Sequence, residues 1–160
     1  MFILLDIDGV MVPAASWKAP NLLEDGFAAF KQSAVMSLNK IIAETNATII
    51  LMSSHRDRYS NAEWQRIFSN RGIAAKIQKC DIRFNTGVSR RDLISQWFNT
   101  NEAVKNFVII DDDKSLNDLS SDLKQNLVLT DSLVGLTEAL AEIVIERLKA
   151  KEAISKFVAA

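Results

Sequence analysis

Polar side chains that share one kind of chemistry follow three apolar runs of the sequence. They are Asp6 and Asp8, then Ser53 and Ser54, then Asp111, Asp112 and Asp113. Carboxylates brought this close raise each other's pKa values, and a hard cation removes the conflict. An all-oxygen set with few carboxylates suits Mg²⁺, which often also binds a substrate phosphate. The residue types therefore indicate attack of a carboxylate on phosphorus, with a second acid two residues later moving protons.

These side chains converge only if the apolar runs form neighbouring parallel strands. Runs at residues 2–5, 48–52, 107–110 and 127–129 predict strands, and a short strand is expected at 73–77. Helical spacing of apolar residues predicts helices at 27–44, 61–71, 89–98 and from 132 to the C-terminus. Alternation of strand and helix favours a parallel sheet with helices on both faces, and ligands bind beyond the carboxyl ends of its strands. The fold class expected is a three-layer α/β/α Rossmann-like domain over residues 1–160.

Composition limits the classes of function. The chain has 160 residues, 48% of them hydrophobic, and a formal net charge of −1. This charge provides no overall attraction for nucleic acid or an anionic membrane, although a local basic patch remains compatible with it. No apolar stretch is long enough for a membrane span, and the single cysteine, Cys80, favours a reducing compartment. We therefore expect a soluble, cytoplasmic protein.

Three segments carry a family resemblance. Asp6-Ile7-Asp8-Gly9-Val10 resembles the DxDGV signature of haloacid-dehalogenase-like (HAD) phosphatases. Residues 49–53, an apolar strand ending in Ser53, resemble the second motif of that family, and residues 107–112 resemble the fourth. The chain is similar to the small capless HAD domains that stand alone in bacteria or are joined to RNA-repair enzymes. The short gaps between the motifs leave no room for a separate cap domain.

The resemblance implies a role for each matching residue. It makes Asp6 the nucleophile and an Mg²⁺ ligand, and Asp8 the general acid/base with its backbone carbonyl on the metal. It makes Ser53 a ligand of a phosphoryl oxygen and places Asp111 and Asp112 in the metal site. Asp113 is also a candidate N-cap for the following helix.

A basic residue at a helix start should neutralise the charge on Asp6 and the phosphate. The resemblance favours Arg90 for this role, with Arg91 as the alternative, where the family usually carries Lys. Arginine stays protonated and binds phosphate as a fork, so the role survives with altered geometry. At His55 the close relatives usually carry Trp, and we expect a structural or substrate-edge role there rather than catalysis.

The function expected is hydrolysis of a phosphate monoester, and two alternative functions stay open. The substrate is a phosphorylated small molecule or, as open sites in the family suggest, a nucleic-acid end. A receiver-like signalling module that accepts a phosphoryl group also places acids and Ser or Thr at strand ends. A non-catalytic HAD-like binding domain is the other alternative. Trp17, in the loop after the first strand, is a candidate for stacking on a base or sugar ring.

Overall fold

The computed structural model describes residues 1–15, 18–83 and 87–159. Within these ranges five strands form one parallel sheet in the order β3-β2-β1-β4-β5. The strands are β1 (Phe2–Leu5), β2 (Thr48–Leu51), β3 (Ile77–Lys79), β4 (Phe107–Asp111) and β5 (Leu127–Leu129). Trp17 lies outside the described residues.

Helices cover both faces of the sheet. They are α1 (Gln32–Thr45), α2 (Asn61–Asn70), α3 (Arg90–Thr100), α4 (Ser121–Lys124) and α5 (Glu138–Ala159), with 3-10 turns at Arg56–Arg58 and Lys114–Asp118. Side chains alternate along each strand, so Ile3 and Leu5 pack in one buried cluster with α1, α2 and α5. Leu4 belongs to a second cluster that includes Leu93 and Trp97 of α3. The predicted three-layer α/β/α architecture is confirmed.

The order of the strands creates a crevice at one edge of the sheet. The chain proceeds from β1 outward through β2 to β3, then returns to β4 on the other side of β1 and continues to β5. Connections therefore leave β1 and β4 in opposite directions, and ligands of doubly wound sheets bind beyond the carboxyl ends of such strands. The described segments between the strands consist of helices, 3-10 turns and loops, and none forms a separate cap domain.

Three predicted boundaries are wrong by several residues. Helix α1 begins at Gln32 rather than near Phe27, because Phe27 and Phe30 are buried in the loop that precedes it. Strand β3 begins at Ile77, where the apolar run 73–77 ends. Helix α5 begins at Glu138 rather than at Ser132, because residues 131–135 form a bridged turn.

None of the helices in the described ranges combines the length and apolarity that a membrane span requires. The assignment of residues 1–160 to one domain stays a prediction.

Candidate active site

Three acids meet where β1 and β4 end. Asp6 follows β1 directly, Asp111 is the last residue of β4, and Asp112 comes next. One carboxylate oxygen from each lies within 4.8 Å of the others. Asp6 and Asp111 are only 4% and 1% exposed. The backbone N–H of Asp6 donates to Ile110 O at 3.1 Å, so the hydrogen bonding between β1 and β4 continues as far as Asp6.

Two glycines let the surrounding loops approach the acids. Gly9 has φ +76°, and a Cβ at this position would overlap the carboxylate of Asp112. Thr130, which follows β5, donates its hydroxyl to Gly9 O at 2.7 Å. A Cβ on Gly135, where φ is +81°, would lie 2.5 Å from Val10 O. The close packing of the loops after β1, β4 and β5 therefore requires glycine at both positions.

Arg90 joins the carboxyl ends of three strands. Its Nη2 lies 3.2 Å from Asp6 Oδ1, and its Nε lies 3.4 Å from Asp111 Oδ2. Its Nη1 donates to the backbone carbonyl of Met52, the residue after β2. Arg90 is the first residue of α3, whose start is fixed because the Ser89 hydroxyl accepts from Asp92 N. Arg91, the alternative candidate, is 46% exposed, and its Nε lies 4.0 Å from Asp92.

The acids are held in an electrostatically unfavourable state. Among the described residues, no donor reaches Asp6 Oδ1 or Asp111 Oδ2 with hydrogen-bond geometry. Burial, and then the charge of Asp111, raises the pKa of Asp6 to about 7. Burial raises the pKa of Asp111 to about 6, against the lowering effect of Arg90, and burial also raises the pKa of Asp112. One guanidinium does not fully compensate three acids, so the arrangement suits a bound cation.

Asp6, Asp111 and Asp112 offer only carboxylate oxygens, which are ligands that Mg²⁺ prefers. Two of these oxygens also lack a hydrogen bond, so the site fits a metal ion. The Asp8 side chain is not part of this set. Asp113 instead accepts from Ser115 N at 2.9 Å and caps the 3-10 turn Lys114–Asp118, in agreement with its predicted alternative role.

Ser53 lies beyond the end of β2, next to β1 in the sheet, and is fully buried. Its hydroxyl oxygen accepts from the backbone N–H of His55 at 3.2 Å. No hydrogen bond within the described ranges joins this hydroxyl to the three acids. The structure thus places Ser53 at the same edge as the acids, while its role toward a phosphoryl oxygen stays a prediction.

Asp8 has a partner that the sequence reasoning missed. His55 Nε2 lies 2.8 Å from Asp8 Oδ2, and the side chains are 30% and 58% exposed. The pair connects the loop after β1 with the loop after β2. The available signal was that the only histidine of the chain stands two residues after Ser53, at the end of a strand adjacent to β1.

A groove of about 910 Å³ lies at the opposite edge of the sheet. It is lined by Phe107 at the start of β4, by Asn126 before β5 and by Lys151 of α5. Lys151 donates to the carbonyl of Phe107 and to the side chain of Asn126. The groove contains none of the acids predicted for the site, so its size does not identify it as the catalytic region.

Comparison with known proteins agrees with this geometry. Residues 2–141 match the sequence model of the family described as "HAD domain in Swiss Army Knife RNA repair proteins". No curated protein and no solved structure gives a significant match. The match covers most of the chain, including every strand and all the candidate site residues. The chain therefore belongs to the family of HAD domains found in Swiss Army Knife RNA repair proteins, and membership indicates a HAD-type hydrolase.

Proposed function

We propose that this protein is a magnesium-dependent phosphatase that hydrolyses a phosphate monoester through a phosphoryl-aspartate on Asp6. One observation carries the proposal: two buried carboxylates, Asp6 and Asp111, each have an oxygen without a hydrogen bond, and both lie against Arg90. Leaving buried charged oxygens unsatisfied destabilises a fold, so their presence favours a functional explanation.

Asp6, Asp111 and Asp112 are the side chains that would hold Mg²⁺, and the resemblance adds the backbone carbonyl of Asp8. When bound, the ion would supply the positive charge that keeps these carboxylates ionised and that attracts the oxygens of a phosphate. Arg90 contributes a permanent positive charge beside Asp6 whether or not the ion is bound.

The reaction has two proton-balanced steps. In the first, an Asp6 oxygen forms a bond to phosphorus while the bond from phosphorus to the alcohol oxygen breaks. Asp8 donates its proton to that leaving oxygen. In the second, Asp8 takes a proton from water as the water oxygen bonds to phosphorus, and the bond to Asp6 breaks to release inorganic phosphate. The Ser53 hydroxyl and Arg90 bind the phosphoryl oxygens in both steps.

The expected substrate is the phosphorylated end of a polynucleotide. The family name refers to RNA repair proteins, and the described residues include no cap domain that would exclude a large substrate. A small phosphorylated molecule is the alternative, and both are compared in the same assay.

The proposal is tested by measuring release of inorganic phosphate, with Mg²⁺ or with EDTA. The panel comprises p-nitrophenyl phosphate, nucleotides, sugar phosphates, and oligonucleotides phosphorylated at the 3′ or the 5′ end. We expect release that requires Mg²⁺ and is lost below detection in Asp6→Asn, because the nucleophile is removed. Asp113→Asn is the matched control, since asparagine also caps helices well, and it should retain activity.

Absence of Mg²⁺-dependent turnover over the whole panel would remove the enzymatic function. A wild-type protein that becomes labelled by a phosphoryl donor and keeps the label would favour the receiver-like alternative. Binding of phosphorylated oligonucleotides without labelling or turnover would favour the non-catalytic binding domain.

A further inference from the structure

The contact between His55 and Asp8 is the part of the site that the proposed reaction does not yet explain. Asp8 is more than half exposed, and its nearest described partner is His55 Nε2, 2.8 Å from Oδ2. A carboxylate this exposed samples several rotamers unless a neighbour restrains it. Proton transfer depends on correct placement, so the restraint has a consequence for rate.

The neighbours of His55 determine which ring nitrogen carries the proton. Arg58 Nη1 lies 3.4 Å from His55 Nδ1, and a guanidinium nitrogen is only a donor. In the neutral imidazole Nδ1 is therefore the accepting nitrogen in this contact, and Nε2 carries the hydrogen that is donated to Asp8. In this arrangement Arg58 donates a hydrogen bond to His55, and His55 donates one to Asp8.

The orientation of the His55 ring is fixed by packing. Phe27 packs edge-on against it, with ring centroids 5.6 Å apart, and Trp64 packs against Phe27 at 5.1 Å. The backbone of His55 is fixed separately through its N–H bond to the Ser53 hydroxyl. The imidazole is thus held by two loops and one helix rather than by Asp8 alone.

We propose that His55 is a positioning residue that holds Asp8 by Oδ2 and reserves Oδ1 for proton transfer. This inference rests on the proposed phosphatase function. Oδ2 can accept from Nε2–H whether Asp8 is ionised or carries a proton on Oδ1. His55 therefore restrains Asp8 in both steps, when it donates to the leaving oxygen and when it accepts from water.

The kinetic test uses His55→Ala and His55→Gln, alone and combined with Asp8→Asn. His55→Ala should lower kcat roughly tenfold, a part of the about 10²- to 10⁴-fold that general acid–base catalysis supplies, with little change in KM. His55→Gln should restore most of kcat, since its amide nitrogen occupies a position close to that of Nε2. In the Asp8→Asn background, removal of His55 should have no further effect on kcat. The positioning role would be overturned if His55→Ala lowered kcat equally in the Asp8→Asn background, or if it changed only KM.

A second measurement separates failure of this inference from failure of the proposed function. His55 is the only histidine, so ¹⁵N spectra of the imidazole report it without ambiguity. For the neutral imidazole we expect a protonated Nε2 and an unprotonated Nδ1, with both signals shifted in Asp8→Ala. The opposite tautomer, or signals unchanged in Asp8→Ala, would overturn the contact even in an active enzyme. An inactive wild type with the expected spectra would overturn the phosphatase function, and the catalytic role of His55 with it.

Discussion

Two regions of the molecule hold an arginine against aspartates, and they differ in how completely the charges are satisfied. One is the pair of Arg71 and Asp25, where α2 ends beneath the loop between β1 and α1. The other is Arg90 between Asp6 and Asp111, at the carboxyl edge of the sheet.

The Arg71 region is fully hydrogen-bonded. Its guanidinium is 2% exposed and donates to Asp25 Oδ2 at 2.6 Å and to Asp25 Oδ1 at 3.0 Å. It also donates to the backbone carbonyls of Phe27, Ala28 and Ile67. The hydrogen bond from Arg71 holds the pKa of Asp25 far below its ordinary value. Such a pair fastens a loop to a helix and offers no unsatisfied atom to a ligand.

The Arg90 region shows the opposite behaviour, since the pKa values of Asp6 and Asp111 are raised rather than lowered. Arg90 faces two carboxylates at ion-pair distances of 3.2 and 3.4 Å and satisfies neither buried oxygen. Burial of an ion pair therefore does not by itself distinguish a structural pair from a functional one. Incomplete hydrogen bonding and the direction of the pKa shift do.

The largest expected effect on stability is that of Arg71→Met. It removes the hydrogen bonds that Arg71 donates to Asp25 and to three backbone carbonyls, and Asp25 keeps only those from the Asn70 side chain and from Phe27 N–H. Breaking a largely buried ion pair in this way costs up to about 3–5 kcal/mol. Urea unfolding measures the change. Arg66→Met, at an exposed position on the same helix, is the matched control and should change the free energy of unfolding by less than about 0.5 kcal/mol. Equal effects of the two variants would show that the Arg71 pair is not a structural anchor.

The second prediction concerns Arg90→Ala, which should act on turnover. Loss of a preorganised donor beside the developing charge typically lowers kcat by about 10²- to 10³-fold. Arg90→Lys should retain more activity, because it preserves the charge but not the fork that reaches Asp6 and Asp111 together. Arg91→Ala is the control and should behave as wild type. If Arg91→Ala were the more damaging variant in phosphate release, the assignment of the basic role to Arg90 would be wrong.

Sequence alone placed four of the five described strands, all but β3, and the acids that follow β1 and β4, since an apolar run ending in carboxylates is a local pattern. The predicted start of α1 is wrong because Phe27 and Phe30 have helical spacing but lie in a loop, where both rings pack against Arg71. The carbonyl of Phe27 also accepts a hydrogen bond from Arg71. Such contacts depend on how a loop packs against a helix that is distant in sequence, and the spacing of apolar residues contains no information about that packing.

For the site, the sequence predicted the residues at strand ends but not a contact between two loops. The residues supplied by strand ends were found because parallel strands bring their carboxyl ends to one edge. The contact between His55 and Asp8 was missed, since 47 positions separate the two residues and the contact depends on two loops. The preference for Arg90 over Arg91 rested on the family resemblance, whereas the structure adds its contacts with Asp6 and Asp111.

The last prediction is a pH dependence of stability that separates the two regions. The pKa of Asp6 rises from an ordinary 3.8 to about 7, and that of Asp111 rises from 3.8 to about 6. These two carboxyls therefore bind protons more tightly in the folded protein than in the unfolded chain, and without metal the stability they contribute should be lost as pH rises from 3.8 toward 7. Asp25, whose pKa is lowered, acts in the opposite direction, and its contribution is lost only in stronger acid.

Urea midpoints measured in EDTA across this range test the sign. The double variant Asp6→Asn, Asp111→Asn is the control and should flatten the slope, because both shifted carboxyls are gone. Mg²⁺ should stabilise the wild type more at neutral than at acidic pH, since the ion competes with protons for the same oxygens. A wild type whose metal-free stability rises from pH 3.8 to 7 more steeply than that of the double variant would mean that Asp6 and Asp111 are satisfied as anions, as Asp25 is, and the contrast between the two regions would disappear.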